Sequence, residues 1–276
     1  MRGLAIVTGA SSGIGEAFAR ALSQRGYSLL LVARRHDRLQ KLADELGRAE
    51  VFVADLSREA EVERVALRAA ELGNVTLLVN NAGFGTRGPF ADMDGARQGD
   101  MVKLNVLTPV LLTHQLLPLL HAGGAHGRAS GVINVSSVGA FQPTPFMATY
   151  SASKAFVLSW SEALSEELRG SQVRVLCVCP GPTTSEFFDV AVMPDNMRRL
   201  PHTMTADDVV SRTLDAFDDH RAVLLPGVVN WLSAFATRFV PRLISRALTA
   251  RMFAPKRSAP PLPPSHAESQ RSHDPP

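Results

Sequence analysis

Tyr150 and Lys154 stand four residues apart in Tyr150-Ser151-Ala152-Ser153-Lys154, a spacing that brings both side chains to one face of a helix. A neighbouring ammonium stabilises phenolate. It draws a tyrosine pKa down from about 10 towards working pH, where the phenol serves as general acid or base. Tyr-x-x-x-Lys is common and usually marks a solvated helix face, so its surroundings have to separate the two readings. Thirteen residues before Tyr150, Ser137 and its neighbour Ser136 close the strand-like run 132–135. Near the start of the chain, Thr8-Gly9-Ala10-Ser11-Ser12-Gly13-Ile14-Gly15 lies between an apolar run at 4–7 and a helical run from Glu16. Such glycines allow a tight turn and close backbone approach to a pyrophosphate, and the following helix N-terminus offers free N–H groups to the anion. The spacing is Gly-x-x-x-Gly-x-Gly, and no Gly-Lys-Ser/Thr ending follows, which disfavours a triphosphate-binding loop.

The second apolar run bears on the choice of nucleotide. An NAD site usually places Asp or Glu about 20 residues beyond the glycine loop, on the ribose hydroxyls. Here the run ends Ala33-Arg34-Arg35, and a guanidinium such as that of Arg34 suits a 2′-phosphate, with Ser12 adding a hydroxyl. NADP is therefore expected in preference to NAD. Asp37 is expected to cap the next helix.

These residues need elements to hold them. Short apolar runs recur at 4–7, 29–33, 51–54, 77–79, 132–135, 173–178 and 222–225, mostly continuous, as in strands buried on both faces. Helical spacing fills 16–25, 38–46, 59–72 and 153–168. The alternation predicts an α/β fold, a doubly wound parallel sheet of Rossmann type with helices on both faces. Ligands in such sheets sit beyond the carboxyl ends of the strands. That edge gathers the glycine loop, Asn80-Asn81-Ala82-Gly83, Ser136-Ser137 and Pro180-Gly181.

At this point the chain resembles the short-chain dehydrogenase/reductase family, in its single-domain branch. The resemblance rests on Thr8-Gly9-x-x-x-Gly13-x-Gly15, Asp55-Leu56, Asn81-Ala82-Gly83, Asn105, Ser137, Tyr150-x-x-x-Lys154 and Pro180-Gly181. These occur in family order over residues 3–225. The resemblance implies a carbonyl–alcohol oxidoreductase in which Tyr150 exchanges the proton and Lys154 lowers its pKa and holds the nicotinamide ribose. Ser137 would orient the substrate carbonyl, and Asn105 would hold a relay water. Cofactor contacts would come from Gly9, Ser11, Ser12, Gly13, Ile14, Gly15, Arg34, Asp55, Leu56, Asn81, Ala82 and Gly83, with Pro180 and Gly181, while Asn80 ties loops together. Where the family often carries Pro-Gly-x-x-x-Thr this chain has Ser185, leaving Thr183, Thr184 and Ser185 as candidate donors to the nicotinamide carboxamide. Many relatives pair through the helices carrying Asn105 and Tyr150, so a homo-oligomer, dimer or tetramer, is expected. A binding-only NADP sensor or scaffold is the rival reading.

Composition bounds the rest. The 276 residues are 45% apolar and 20% charged, with a net charge of +3 and a mean hydropathy of +0.04, which suits one large α/β domain. Two cysteines, Cys177 and Cys179, make neither a disulfide framework nor a zinc site. They read as small hydrophobes in a buried strand, and the histidines, His121 and His126 among them, have no metal-ligand spacing. The apolar stretch 104–120 is interrupted by polar residues and prolines, and a membrane span needs roughly 20 mostly apolar residues. A cytoplasmic location is expected. An apolar, methionine-bearing stretch at 186–204, including Phe187, Phe188, Met193 and Met197, points to a cover over hydrophobic substrates. Thr205-Ala206-Asp207-Asp208 reads as a capping box.

Residues 220–267 hold seven Lys or Arg and no Asp or Glu, so a chain total of +3 leaves −4 on the remainder. Arg238, Arg242 and Arg246 are spaced by four, beside Trp231, Phe235, Phe239 and Leu243, with Pro241 kinking or breaking the helix. This basic amphipathic segment, 228–254, is expected to cap the substrate pocket, to meet a partner subunit, or to make peripheral membrane contact through 228–257. A membrane-surface reductase of lipid-like ketoacyl substrates is the corresponding alternative function, and nucleic acid is not an expected partner. The catalytic domain is placed at 1–254, and the proline-rich 255–276 is read as a disordered tail.

Overall fold

The central strands are mostly apolar and almost wholly buried because each of their faces meets a helical layer. In the computed structural model, which describes residues 2–125, 129–184, 186–191 and 203–254, seven parallel strands pair in the order β3-β2-β1-β4-β5-β6-β7. The elements run β1 (Leu4–Thr8), α1 (Gly13–Gln24), β2 (Ser28–Ala33), α2 (His36–Leu46), β3 (Ala49–Val53), α3 (Glu59–Leu72) and β4 (Val75–Asn80). Then come α4 (Gly95–Val102), a π-helical turn (Lys103–Leu107), α5 (Thr108–Gly124), β5 (Ser130–Val135), α6 (Ala148–Glu167) and β6 (Val173–Val178). The chain continues through α7 (Phe187–Val190), α8 (Ala206–Asp218), β7 (Val223–Leu224), α9 (Val228–Ala236) and α10 (Arg242–Phe253). The doubly wound sheet expected from the apolar runs is the fold observed.

Strand alternation sorts the core into two layers. Ala5, Val7, Leu29 and Leu31 face one way, onto Phe18 and Leu22 of α1, Leu39 and Leu42 of α2, and Leu214 and Phe217 of α8. Leu4, Ile6, Leu30 and Val32 face the other way, onto Val62 and Val65 of α3 and Leu112, Leu116 and Leu120 of α5. Cys177 and Cys179 are buried beside Val157 and Leu158 of α6. The adjacent Cys177 thiol and burial both push the Cys179 thiol up, which keeps it an unreactive packing group.

Several local expectations change. The stretch 104–120, with its polar residues and prolines, lies within one continuous helix, Gly95–Gly124, with a proline at the start of α5 and Pro118 inside it. By length and apolarity that helix meets the measure of a membrane span, and its Leu112, Leu116 and Leu120 are buried in the sheet core. Asp37 does not cap α2. Arg35 occupies that position and Asp37 sits in the first turn, where a carboxylate still favours the helix dipole. Thr205 does cap α8, its hydroxyl accepting from Asp208 N at 3.1 Å. The C-terminal segment is not one helix: Pro241 separates α9 from α10 and stands at the N-cap of the second, because proline has no N–H to continue the ladder. Arg238 lies between the two helices, so Arg238, Arg242 and Arg246 do not share one helical face. Val192, Met193, Met197, His126, Ser185 and the tail from 255 lie outside the described residues.

Candidate active site

The glycine loop closes β1 onto α1. Gly9 has a φ of +68°, left-handed backbone that only glycine adopts freely. A Cβ on Gly15 would come within 2.2 Å of the Gly9 carbonyl oxygen, so helix and loop pack too closely for any side chain. From β4, Asn81 Nδ2 donates to the carbonyls of Thr8 at 2.9 Å and Gly9 at 3.3 Å. Thr8 Oγ1 in turn accepts from the backbone N–H groups of Asn81 and Ala82, both at 3.0 Å. Asn81 therefore braces the loop from beneath.

Ser12 stands at the N-cap of α1 without a side-chain bond to the helix, which leaves first-turn amides available to an anion. Its hydroxyl instead accepts from Arg35 at 2.7 Å, and Arg35 also donates to Ser11 Oγ at 3.1 Å. Arg34 does not make these contacts. It lies near Asp55, whose carboxyl is pushed up by burial but more strongly held down by Ser57, Arg34 and Arg58. Arg35 carries a further contact that sequence reasoning missed, an ion pair with Glu186 at 2.8 Å. Glu186 also pairs with Arg38, and the two arginines, Arg38 first, hold its carboxyl down at about 2. In the sheet β6, which leads to Glu186, is four strands from β2, so at ~4.8 Å per strand this contact reaches across the crevice where the strand order reverses. Only the tertiary structure brings residues 151 apart in sequence together; no local signal marks the pair.

The reactive residues meet at the carboxyl ends of β5 and β6. Lys154 is 6% exposed and its Nζ donates to the Val135 carbonyl at 2.8 Å. Burial pushes the lysine down to about 8. Its Nζ lies 5.9 Å from the Tyr150 ring centroid. The expectation that Lys154 lowers the tyrosine does not hold here: burial dominates and pushes Tyr150 up to about 12, with the Ser137 hydroxyl pulling partly against it. At neutral pH Tyr150 is thus a protonated acid. The two serines separate cleanly. Ser136 is buried and donates to the Lys154 carbonyl at 2.7 Å, whereas Ser137 faces Tyr150 and accepts from Gly139 N at 3.1 Å.

Asn105 sits in the π-helical turn, a geometry frequent at functional sites. Its amide is already occupied, donating to the Phe84 carbonyl and to Ser153 Oγ at 3.0 Å each and accepting from Phe84 N at 3.1 Å. It thereby ties the loop after β4 to the helix carrying Tyr150. Behind Lys154, Thr8, Asn80, Asn105 and Thr108 line a small enclosed cavity. Asn80 Nδ2 donates to Asn134 Oδ1 at 2.8 Å and to Thr113 Oγ1 at 3.0 Å, while its Oδ1 has no partner among the described residues.

After β6, Thr183 Oγ1 donates to the Gly181 carbonyl at 3.0 Å, and Thr184 is exposed. Gly181 packs so closely on Asn230 of α9 that a Cβ would lie 2.3 Å from its Oδ1. Phe187 of α7 lays its ring 5.2 Å from that of Tyr150. Phe187 belongs to the apolar stretch expected to cover the substrate, whereas the contact of Asn230 with Gly181 carried no sequence signal.

Comparison with known proteins agrees with this arrangement. The profile of the short chain dehydrogenase family matches residues 3–193. Sulfoacetaldehyde reductase 2 of Chromohalobacter salexigens is 38% identical over 252 residues, covering 86% of this chain and 98% of that protein. The very-long-chain 3-oxoacyl-CoA reductase of Kluyveromyces lactis is 35% identical over 190 residues; the match covers 66% of this chain and spans just 55% of that longer relative. Among solved structures, a short-chain dehydrogenase from Sphingobium yanoikuyae in complex with NADPH superposes with a TM-score of 0.75 at 32% identity, covering 88% of this chain and 95% of its own. With its glycine loop, its Ser137–Tyr150–Lys154 cluster and a family match over most of its length, the chain belongs to the short chain dehydrogenase family.

Proposed function

We propose that this protein is an NADP(H)-dependent oxidoreductase that interconverts a hydrophobic ketone or aldehyde with its alcohol. The observation that carries the reading is the convergence of Ser137, Tyr150 and Lys154 beside a glycine loop whose helix start lacks a side-chain cap. When bound, the nicotinamide supplies or accepts the hydride. Gly9, Ser11, Ser12, Gly13, Ile14 and Gly15 would hold the pyrophosphate and ribose. Arg34 and Arg35 would hold the 2′-phosphate, and Asp55 and Leu56 would flank the adenine. Asn81, Ala82, Gly83, Pro180, Gly181, Thr183 and Ser185 would line the nicotinamide half.

Ser137 orients the substrate oxygen, and Tyr150, kept protonated by burial, delivers the proton. Lys154 holds positive charge beside the phenolate that forms, and the small cavity shared by Asn105 and Lys154 gives a water a place to refill the proton. Phe187 over Tyr150 supports an apolar substrate. The Phe156–Trp160 stack on α6, with Phe156 exposed and Trp160 half-buried, supports self-association through that helix. The C-terminal helices support a second reading, peripheral contact with a membrane and lipid-like substrates.

The test is a panel of ketones and aldehydes with NADPH and NADH. Tyr150→Phe is expected to remove turnover by about 10²–10⁴-fold while NADPH binding survives; equal turnover would overturn the mechanism. In fluorescence titrations NADPH is expected to bind more tightly than NADH. Glu186→Gln is expected to tighten NADPH about two- to fivefold, since one competing carboxylate leaves the exposed arginines.

A further inference from the structure

α9 and α10 turn the usual helix pattern inside out. Their buried residues are small or polar: Asn230 and Ala234 on α9, Ser245 and Thr249 on α10. Asn230 donates to the Pro226 carbonyl at 2.7 Å, Ser245 to Gln142 Oε1 at 2.9 Å, and Thr249 to the Pro143 carbonyl at 3.1 Å. The large apolar residues face outward, with Val228 75%, Phe239 73% and Leu243 67% exposed and Trp231, Phe235 and Leu248 also exposed. Trp231, Phe235 and Phe239 form a ridge of rings with successive centroids 5.2 Å apart. A soluble monomer rarely leaves so continuous an apolar patch uncovered.

Charge identifies what covers it. Arg238, Arg242, Arg246 and Arg251 are all exposed, and no carboxylate pairs with them among the described residues. Residues 220–267 contain no Asp or Glu. A second copy docking on this face through a two-fold axis would set the same arginines against themselves, because such an interface pairs one patch with itself. An anionic bilayer instead satisfies both halves of the surface: apolar and aromatic side chains enter the boundary region while arginines meet headgroups.

We propose that α9 and α10 form a docking surface for an anionic lipid bilayer, and that docking holds the active-site mouth against the lipid so that the substrate is drawn from it. The docked pair lies on the loops that flank the reactive residues. Asn230 abuts Gly181, α10 bonds to Gln142 and Pro143 just before the helix of Tyr150, and Arg87 donates to the Phe253 carbonyl at 2.9 Å. The substrate half of this inference rests on the oxidoreductase reading; the docking half does not.

The full chain carries two tryptophans, so Trp160→Phe leaves Trp231 as the single reporter. With phosphatidylcholine vesicles containing phosphatidylserine, Trp231 emission is expected to shift to the blue and the protein to co-float, with neither seen on phosphatidylcholine alone. Arg242→Glu with Arg246→Glu is expected to weaken partitioning by roughly thirtyfold or more, at about 1 kcal/mol per basic residue near the surface, with circular dichroism and NADPH binding unchanged. Equal binding to both vesicles, or a dimer in solution that Phe235→Ser dissociates, overturns the docking surface. For substrate delivery, the double variant is expected to reduce a long-chain ketone held in anionic vesicles at least about tenfold more slowly, while a short soluble ketone reacts at the unchanged rate. Equal loss on both ketones, or loss on neither, overturns delivery. Failure of both proteins on every ketone breaks the oxidoreductase reading and leaves the flotation result standing.

Discussion

α8 and α10 are helices of similar length with opposite burial. α8 puts Val209, Val210, Leu214 and Phe217 into the sheet core and turns Asp207, Asp208 and Asp215 to solvent. α10 buries Ser245 and Thr249 and turns out Leu243, Ile244, Leu248 and Met252. Both have a polar and an apolar side, so amphipathic spacing reports that two faces exist but not which one the fold covers. The sheet layer covers apolar area because burial there removes it from water at about 25 cal/mol per Å². The C-terminal pair is held by a few hydrogen bonds from small side chains, and its apolar area remains to be spent on another surface.

Mutations can break or sharpen this contrast. The largest effect is expected in the layer: Phe18→Ala, at a fully buried ring, should cost about 3–5 kcal/mol by denaturant unfolding. A loss below about 1 kcal/mol would show the layer to be less tightly packed than described. Lys154 is the core's exception, a buried cation whose folded pKa of about 8 lies below its ordinary 10.5. The folded state therefore binds fewer protons than the unfolded chain between those values. Its stability penalty is fully present below pH 8 and fades as pH rises to 10.5. Lys154→Met should accordingly raise stability by up to about 3 kcal/mol at pH 7, with the gain shrinking towards pH 10.5 in melts across pH. A gain that does not vary with pH would rule out the buried charge as its cause.

Asn230→Ala removes a buried amide that donates to the Pro226 carbonyl and packs against Gly181. It should cost about 1–3 kcal/mol and loosen proteolytic protection of α9 and α10 before that of the sheet; uniform loosening would mean the pair is part of the core. Leu243→Ser should be the smallest, within about 0.5 kcal/mol, because that side chain is two-thirds exposed. A loss above about 2 kcal/mol would place the pair's apolar face inside the folded molecule.

Much of the site was legible because its chemistry is local. The Tyr150–Lys154 spacing falls within one helix, and the glycine loop lies between one strand and one helix, so residue type and short spacing carry both. Ser137 and Asn81 were legible as strand ends, since parallel strands collect their carboxyl ends at one edge. Arg35, Arg38 and Glu186 were not, because their meeting depends on how far two loops reach across the crevice. The helix through 95–124 was hidden by Pro109 and Pro118, which read as interruptions until tertiary packing outweighed their local cost.

By itself the sequence determined the α/β class, the parallel sheet with two buried faces, and the residue types able to move a proton beside a dinucleotide, because these follow from periodicity and short-range spacing. Only the tertiary structure decided that Lys154 points to the Val135 carbonyl and that burial pushes Tyr150 up. It also decided that the C-terminal helices keep their polar face in and their apolar face out. Those outcomes depend on desolvation and on contacts between distant segments, which no single stretch of chain encodes.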